Sequence, residues 1–487
     1  MINDAQFIAL LPQLASTLLV LFVLALIAWH RCHRTTAAVT VLGLVLTLAT
    51  IPFAQQAAPQ AVTSLFVIDG LSLFFAGLVL AAAIGCALLM WSHLDQLDGN
   101  REEMYLLLTL SVNGALMLVS AKDFVSLFIS LELMTVPVYG MAGYLFMQRR
   151  GLEAVIKYLV LSAASTAILL FGMAFLYAQT GRMDFAGVAT QLHSGFGNSA
   201  YLAEAGLLLV LAGLAFKLSL APFHQWTLDV YEGATAPVGA FLATVGKVAV
   251  VAVLLRLLTD AGVFGAYPHM PAWSLLGVLA AIAALSILVG NLLAMRQDNL
   301  KRMLAASSVA HFGYLLVAVI GGGPFAIEAA GMYLAAYVAT TLGAFGVISV
   351  LSSAADARDQ ETLGNLRGLA ARSPFLAFAL TVMLLSLAGI PLTAGFLGKF
   401  YVIAAGAAAG LWLLLGVIVL GSAIGLYVYL RVIATLYQPA EAGQGSLSPR
   451  GAGMLAVAVA VACVLVIGIW PAPVTDALEL AGRLALR

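Results

Sequence analysis

Charge is scarce in this sequence. Asp, Glu, Lys and Arg make up 9% of its 487 residues, against about 25% in soluble domains. The 22 basic and 22 acidic side chains cancel to a net charge of zero, which excludes a surface built for nucleic acid or for a strongly charged partner. Cysteine is almost absent: Cys32, Cys86 and Cys463 stand far apart with no CxxC spacing, so an iron–sulfur, zinc or disulfide framework is excluded. No Gly-rich phosphate loop links a strand to a helix, because Gly321-Gly322-Gly323-Pro324 joins two apolar runs and lacks the Lys-Ser/Thr that would have to follow. No paired histidines lie within the apolar runs to hold a haem. Long polar stretches are missing too. The two longest, 179–203 and 352–372, are too short for a domain with its own core. Such a chain can move charge, but nothing in it points to redox chemistry or ATP hydrolysis.

What fills the sequence instead is apolar: 63% of residues are hydrophobic, where soluble domains run at about 45 to 50%. This is the composition of a polytopic membrane protein. At about 20 apolar residues per crossing, about fourteen spans are expected, near 7–29, 36–54, 70–91, 103–120, 124–146, 154–178, 204–222, 235–258, 272–294, 302–320, 326–350, 373–397, 410–437 and 452–471. The first has no basic segment before it and is longer than a signal-peptide core, so it is read as a retained helix. With the N-terminus outside, the cytoplasmic loops collect Arg31, Arg34, Arg101, Arg149, Arg150, Arg296, Lys301, Arg302, Arg358, Arg367, Arg372 and Arg450. The outer side keeps Lys122, Arg182, Arg483 and Arg487. Twelve against four is a positive-inside bias, and an even helix count returns the C-terminus to the outside.

The chain also repeats itself. Ser219-Leu220-Ala221-Pro222 is echoed 167 residues later by Ser386-Leu387-Ala388-Gly389-Ile390-Pro391, and the same offset carries the fourth span onto the ninth. The expected fold is therefore all-α, with about fourteen transmembrane helices and two five-helix repeats, each containing a Pro-broken helix. Because five is odd, tandem units are inverted, and matching broken helices in inverted repeats point to an ion site. The expected organisation is three N-terminal helices in 1–100, a first repeat in 101–260, a second in 261–437 and a C-terminal helix in 438–487.

A lysine at bilayer depth costs roughly 2.5 to 3.5 kcal/mol on insertion scales. Gly206–Arg256 holds two, Lys217 and Lys247, on either side of a broken polar segment with His224, Asp229 and Glu232. A desolvated lysine can release its proton near neutral pH, which arginine effectively never does. Both lysines are candidate proton stations, with a structural ion pair as the alternative. Glu132 either faces Lys217 and modulates its proton affinity or stays as a static, hydrogen-bonded carboxyl. Lys399 follows the second break, where Gly389, Pro391, Gly395 and Gly398 loosen the helix, and is a third candidate station, with solvation near the outer surface as the alternative. His311 has the intrinsic pKa of a relay, with a satisfied bundle histidine as the alternative, and His224 sits where a break admits water. Lys157, Arg256 and Arg431 lie near helix ends, where snorkelling to an interface is one reading and a direct role the other. The offset carries Lys217 to Leu384 and Lys247 to Leu414, so the second unit repeats the break without the charges. A lateral path suits that layout better than two equivalent pores.

The order of SLELMTVPVYGMAGY, FKLSLAPFHQWTLDVYEGATAPV, LATVGKV and LAGIPLTAGFLGKFY resembles the antiporter-like membrane subunits of respiratory complex I, over roughly residues 100 to 437. One departure is Thr227-Leu228, where the family usually carries an apolar residue followed by Pro. The resemblance implies a proton-translocating, non-redox subunit in the membrane arm of a larger NADH:quinone oxidoreductase, in a bacterial inner membrane. It implies that Glu132 modulates Lys217, that Lys247 receives protons from the cytoplasmic side and that Lys399 passes them outward. NADH, flavin, iron–sulfur clusters and quinone are expected on other subunits, with no cofactor or metal on this chain. The expected partners are neighbouring antiporter-like and small membrane subunits and the lipid bilayer. A multi-subunit cation/proton antiporter or membrane-bound hydrogenase subunit is the alternative, and DVYEGA argues against it. A non-pumping spacer is a third reading, opposed by buried lysines that leucine would replace at lower cost.

Overall fold

The computed structural model describes residues 3–97, 99–144, 149–194, 201–260, 275–352, 361–439 and 451–485. The chain opens with α1 (Asp4–Ala9), α2 (Leu11–Trp29), α3 (His33–Ala49) and α4 (Ile51–Ala57). A small antiparallel hairpin follows, β1 (Gln60–Ala61) with β2 (Val67–Ile68), and then α5 (Gly70–Leu94). Next come α6 (Glu103–Leu118), α7 (Phe124–Ala142), α8 (Arg149–Thr180), α9 (Phe185–Ser194), α10 (Tyr201–Lys217), α11 (Gln225–Gly233), α12 (Ala236–Ala243) and α13 (Val245–Asp260). The remainder is α14 (Leu275–Met295), α15 (Leu300–Gly321), α16 (Gly323–Leu351), α17 (Leu363–Leu366), α18 (Leu369–Arg372), α19 (Pro374–Ala388), α20 (Ala394–Ala408), α21 (Trp412–Leu436), α22 (Ala452–Ile469) and α23 (Ala472–Ala485).

Eleven spans among the described residues are long and apolar enough to cross a membrane. The other three expected crossings fall on shorter helices: α6, the broken pair α10–α11 and the broken pair α19–α20. Helix is the only open-ended way to satisfy a backbone in lipid, so breaks concentrate inside the bundle. Of the basic residues used for orientation, Arg358, Arg450, Arg487 and the side chains of Arg149 and Arg150 lie outside the described residues.

The bundle is organised around α15. Its most apolar window is entirely buried, whereas those of α2 and α14 are 39% buried and leave apolar side chains facing outward. Helices α11, α12, α14, α16, α20 and α21 all pack against α15. Lipid gives helices no hydrophobic reason to associate, so close packing through small residues has to do it. At the α14–α15 contact a Cβ on Gly313 would come within 2.9 Å of the Ala283 carbonyl.

Polar side chains seal the ends. Asp69 and Ser72 form a capping box on α5, and Asp123 and Asn299 cap α7 and α15. Arg256 does not snorkel. It is 6% exposed and makes a two-pronged bond to Asp69, at 2.9 and 2.8 Å, tying α13 to the start of α5. Burial works against the Asp69 carboxylate, and the charge and hydrogen bonds of Arg256 outweigh it, holding its pKa below the usual range. Arg431 donates to the Met295 and Gln297 carbonyls, capping the C-terminal end of α14. A helix that the hydropathy pattern did not announce, α23, lies across α5 and α16 with Leu478 and Ala481 buried and Arg483 outward.

Candidate functional site

The first break starts at Lys217, the last residue of α10. Ser219 takes a left-handed backbone (φ 62), the chain turns through Pro222, and α11 begins at Gln225. The groups freed by the break find partners: Trp226 Nε1 donates to the Phe216 carbonyl at 3.1 Å, and the Ala221 amide donates to Ser286 Oγ at 2.9 Å. Thr227 and Leu228 are both buried within α11, so the helix continues without the proline expected there.

Lys217 is 7% exposed, and its Nζ donates to Ser162 Oγ at 2.8 Å and Thr135 Oγ1 at 3.3 Å. Ser162 Oγ also accepts from Tyr139 Oη at 2.7 Å. Glu132 is half-buried on α7, and its Oε1 accepts from Thr166 Oγ1 at 2.9 Å. Glu132 and Lys217 thus act on each other electrostatically without a direct ion pair between them. Beside Lys217 lies a cavity of about 20 Å³, reaching Trp226, Phe241 and Gly246, room for about one water.

Lys247 sits just past a second irregularity that the apolar pattern of 235–258 did not reveal. Thr244 (φ −112, ψ −78) interrupts the helix between α12 and α13, with its own hydroxyl donating to the Ala240 carbonyl at 2.7 Å. Three residues on, Lys247 is 1% exposed, donates to Ser308 Oγ at 2.5 Å, and lies 4.6 Å from the centroid of the Phe312 ring. That hydroxyl and two aromatic faces, Phe312 and, at 5.9 Å, Tyr231, offset the desolvation of this ammonium.

The second break lies between α19 and α20. Gly389 is left-handed (φ 86) and Leu392 likewise (φ 69). Ser386, the counterpart of Ser219 in the repeat, holds the break by accepting from the Gly395 amide at 3.0 Å and bonding Thr340 Oγ1 at 2.8 Å. Lys399 Nζ donates to the Ala388 carbonyl at 2.8 Å, the last of α19 and hence the negative end of that helix. The left-handed backbone favours glycine at 389, and a Cβ there would meet Lys399 Cδ at 2.8 Å, so the lysine stem would have to shift. A cavity of about 10 Å³ joins Lys399 to His311, Tyr333, Thr340 and Ser386. His311, 4% exposed, bonds Tyr333 through Nδ1 and Tyr429 through Nε2.

His224 stands apart from this row. It is half-buried at the start of α11 with Nδ1 unpartnered among the described residues. Beyond it, Lys157 bonds Asp229 and Glu153 at 2.8 and 2.7 Å, and Arg302 bonds Asp229 and Glu232 at 2.9 and 2.6 Å, around a cavity of about 250 Å³. Lys157 is therefore paired, in addition to lying near a helix end.

The structure brings Lys247, His311 and Lys399 together around α15 and sets Lys217 beside a cavity that reaches the α12–α13 break. It adds Thr135, Ser162, Thr166, Ser308, Tyr333 and Tyr429, which a reading confined to ionisable side chains passes over. Their trace in the sequence is the clustering of hydroxyls in Ser162-Ala-Ala-Ser165-Thr166 and Ser307-Ser308 within otherwise apolar runs. Among the described residues no group of three metal-ligating side chains occurs.

These features define a polytopic membrane protein that holds lysines inside its bundle, each beside an interrupted helix. A family model described as NADH:quinone oxidoreductase/Mrp antiporter, TM, matches residues 121–425. NADH-quinone oxidoreductase subunit N of Ectopseudomonas mendocina is 50% identical, over 99% of this chain and 97% of that one. The protein of the same name from Chromohalobacter salexigens is 49% identical, over 97% and 98%. A chain of respiratory complex I from Thermus thermophilus with bound aureothin superposes with a TM-score of 0.81 at 33% identity, covering 96% of this chain and 99% of that one. A chain of an archaeal membrane-bound sulfane sulfur reductase has a TM-score of 0.85 at 23% identity over 98% and 97%, a likeness of fold. The chain belongs to this family, among its NADH-quinone oxidoreductase subunit N members.

Proposed function

We propose that this chain translocates protons as a non-redox subunit in the membrane arm of an NADH-quinone oxidoreductase. The observation that carries the reading is the lysine row: Lys217 and Lys247 are sealed from solvent, and Lys399 is held by the last carbonyl of a broken helix. Each has hydroxyl, carbonyl or aromatic neighbours in place of a direct carboxylate partner. An ammonium so placed can lose its proton without stranding a buried counter-charge. Glu132 modulates Lys217, Lys247 takes protons from the cytoplasmic side, His311 relays them and Lys399 hands them outward. His224 hydrates the first break.

The two repeats, 101–260 and 261–437, are inverted units of this path, flanked by helices in 1–100 and 438–487. The chain lies in a bacterial inner membrane with both termini outside. Neighbouring antiporter-like and small membrane subunits flank it, and NADH, flavin, iron–sulfur clusters and quinone belong to other subunits. Moving one charge against 100 mV takes about 2.3 kcal/mol, so the driving energy arrives from those neighbours. The test is NADH-driven proton uptake in inverted membrane vesicles. Lys217→Ala and Lys247→Ala are expected to lower uptake while the complex assembles, and uptake at the unmutated level in both would remove the assignment.

A further inference from the structure

His311 is held at both ring nitrogens, and its two partners are not equivalent. Tyr429 Oη, 3.0 Å from Nε2, has a second partner in Ser307 Oγ at 2.5 Å. Tyr333 Oη, 2.6 Å from Nδ1, has His311 alone among the described residues, and otherwise borders the small cavity that it shares with Lys399. A neutral imidazole carries one N–H and one lone pair. A hydroxyl whose single partner is that ring donates to it, since the reverse would leave its own hydrogen unsatisfied in a buried site. The Tyr333 O–H therefore donates to Nδ1, the ring N–H sits on Nε2 and donates to Tyr429, and the Tyr429 O–H donates to Ser307.

We propose that Tyr333 and Tyr429 are positioning residues that hold His311 as the Nε2–H tautomer, and that Tyr333 is a valve between His311 and Lys399. The inference rests on the proton-translocation reading above. Outward transfer needs the opposite polarity. The Tyr429 O–H passes its proton to Nε2 and is resupplied from Ser307. The Nδ1–H passes to Tyr333 Oη, and the Tyr333 proton goes through the cavity to neutral Lys399. Ser307 is resupplied in turn from Lys247, whose ammonium bonds the adjacent Ser308, so each intermediate group gives one proton and takes one, and the net change is one proton lost by Lys247 and one gained by Lys399. The tautomer in the structure is the one left after that transfer. To reset it, the Tyr333 O–H has to swing off Nδ1 into the cavity, where a neutral Lys399, directly or through one water, can accept it and an ammonium cannot, and the ring so released turns over with its proton in place, bringing an N–H back to Tyr333 and a lone pair to Tyr429. His311 is thus recharged only after Lys399 has released its proton, which prevents backflow.

The titratable groups that face His311 are Tyr333 and Tyr337 from α16, Tyr429 from α21, Lys399 from α20, Lys247 from α13 and Tyr314 on its own helix. A hydrogen bond to the neutral ring disfavours its protonation, so the Tyr333 bond has a sign that can be measured. In proteoliposomes of the whole complex, Tyr333→Phe is expected to lower protons moved per NADH several-fold and shift the pH profile of uptake to higher pH. Replacing Tyr333 with 3-fluorotyrosine, a stronger donor of the same shape, is expected to shift the profile to lower pH, and this arm decides the matter if the Phe variant does not assemble. Tyr401→Phe, away from the row, is the control. Unchanged yield and profile, or shifts of the same sign in both variants, would overturn the valve. Should Lys247→Ala and Lys399→Ala leave uptake intact, the translocation reading falls first. Should they lower it while both Tyr333 variants match the unmutated complex, the valve falls alone.

Discussion

Glu132 and Lys217 are kept apart by one face of α8. Ser162 and Thr166, four residues apart and so on the same side of that helix, bond the two charges separately: Ser162 takes the ammonium at 2.8 Å and Thr166 the carboxylate at 2.9 Å. An ion pair in direct contact would fix the lysine in its charged form. Two hydroxyls in between leave an attraction that a change at Glu132 can still alter.

Removing one hydroxyl should therefore move the balance. In Thr166→Val the carboxylate loses its donor and is free to approach Lys217. The expected result is slower proton uptake, by about tenfold if the added attraction is worth about 1.4 kcal/mol, with assembly retained. Rates in inverted vesicles at several pH values check this.

Ser162→Ala removes the shorter of the two bonds to Lys217 and leaves Thr135 at 3.3 Å. Hydrogen bonds to charged groups are worth about 1.5 to 3 kcal/mol, and the loss falls on the charged lysine. The expected outcome is easier deprotonation, seen as a pH optimum of uptake displaced to lower pH relative to the unmutated complex.

Gly389→Ala tests the second break. The left-handed backbone (φ 86) costs a side-chain residue roughly 1 to 2 kcal/mol, and the added Cβ displaces the stem of Lys399. Lower thermal stability of the solubilised complex is expected together with reduced uptake, whereas Gly410→Ala, also left-handed but with open space around it, should cost stability alone.

Asp69 and Arg256 give a pH-dependent prediction. A carboxylate whose folded pKa is depressed contributes stability that is present above its unfolded pKa, about 3.9, and is lost as pH falls through the lower folded value. At pH 7 Asp69→Asn takes away the carboxylate that the buried guanidinium bonds, leaves it only the attraction of Asp260, and should cost up to about 3 to 5 kcal/mol. Thermal unfolding of the two forms should differ most at neutral pH, begin to converge only below pH of about 4, and meet once the pH is below the depressed folded value.

By itself the sequence determined the class and most of the architecture. Apolar runs of span length force helices in lipid, and the paired Ser-Leu-Ala…Pro segments marked both breaks, because proline removes a backbone donor that the membrane cannot replace. It also singled out Lys217, Lys247, Lys399 and His311 as candidates, since ionisable side chains at that depth are costly. What only the tertiary structure decided is who stands next to whom. The Thr244 interruption has no proline to announce it, and Gly246, two residues on, is one of many glycines in these apolar runs. Ser308, Tyr333 and Tyr429 look like ordinary helix residues until α15, α16 and α21 bring them around Lys247 and His311. Arg256 looked like a snorkelling end residue until α5 supplied Asp69 from 187 positions away. Hydropathy reads how deep a side chain sits; partners come from helix packing, where neighbours in space are far apart in the chain.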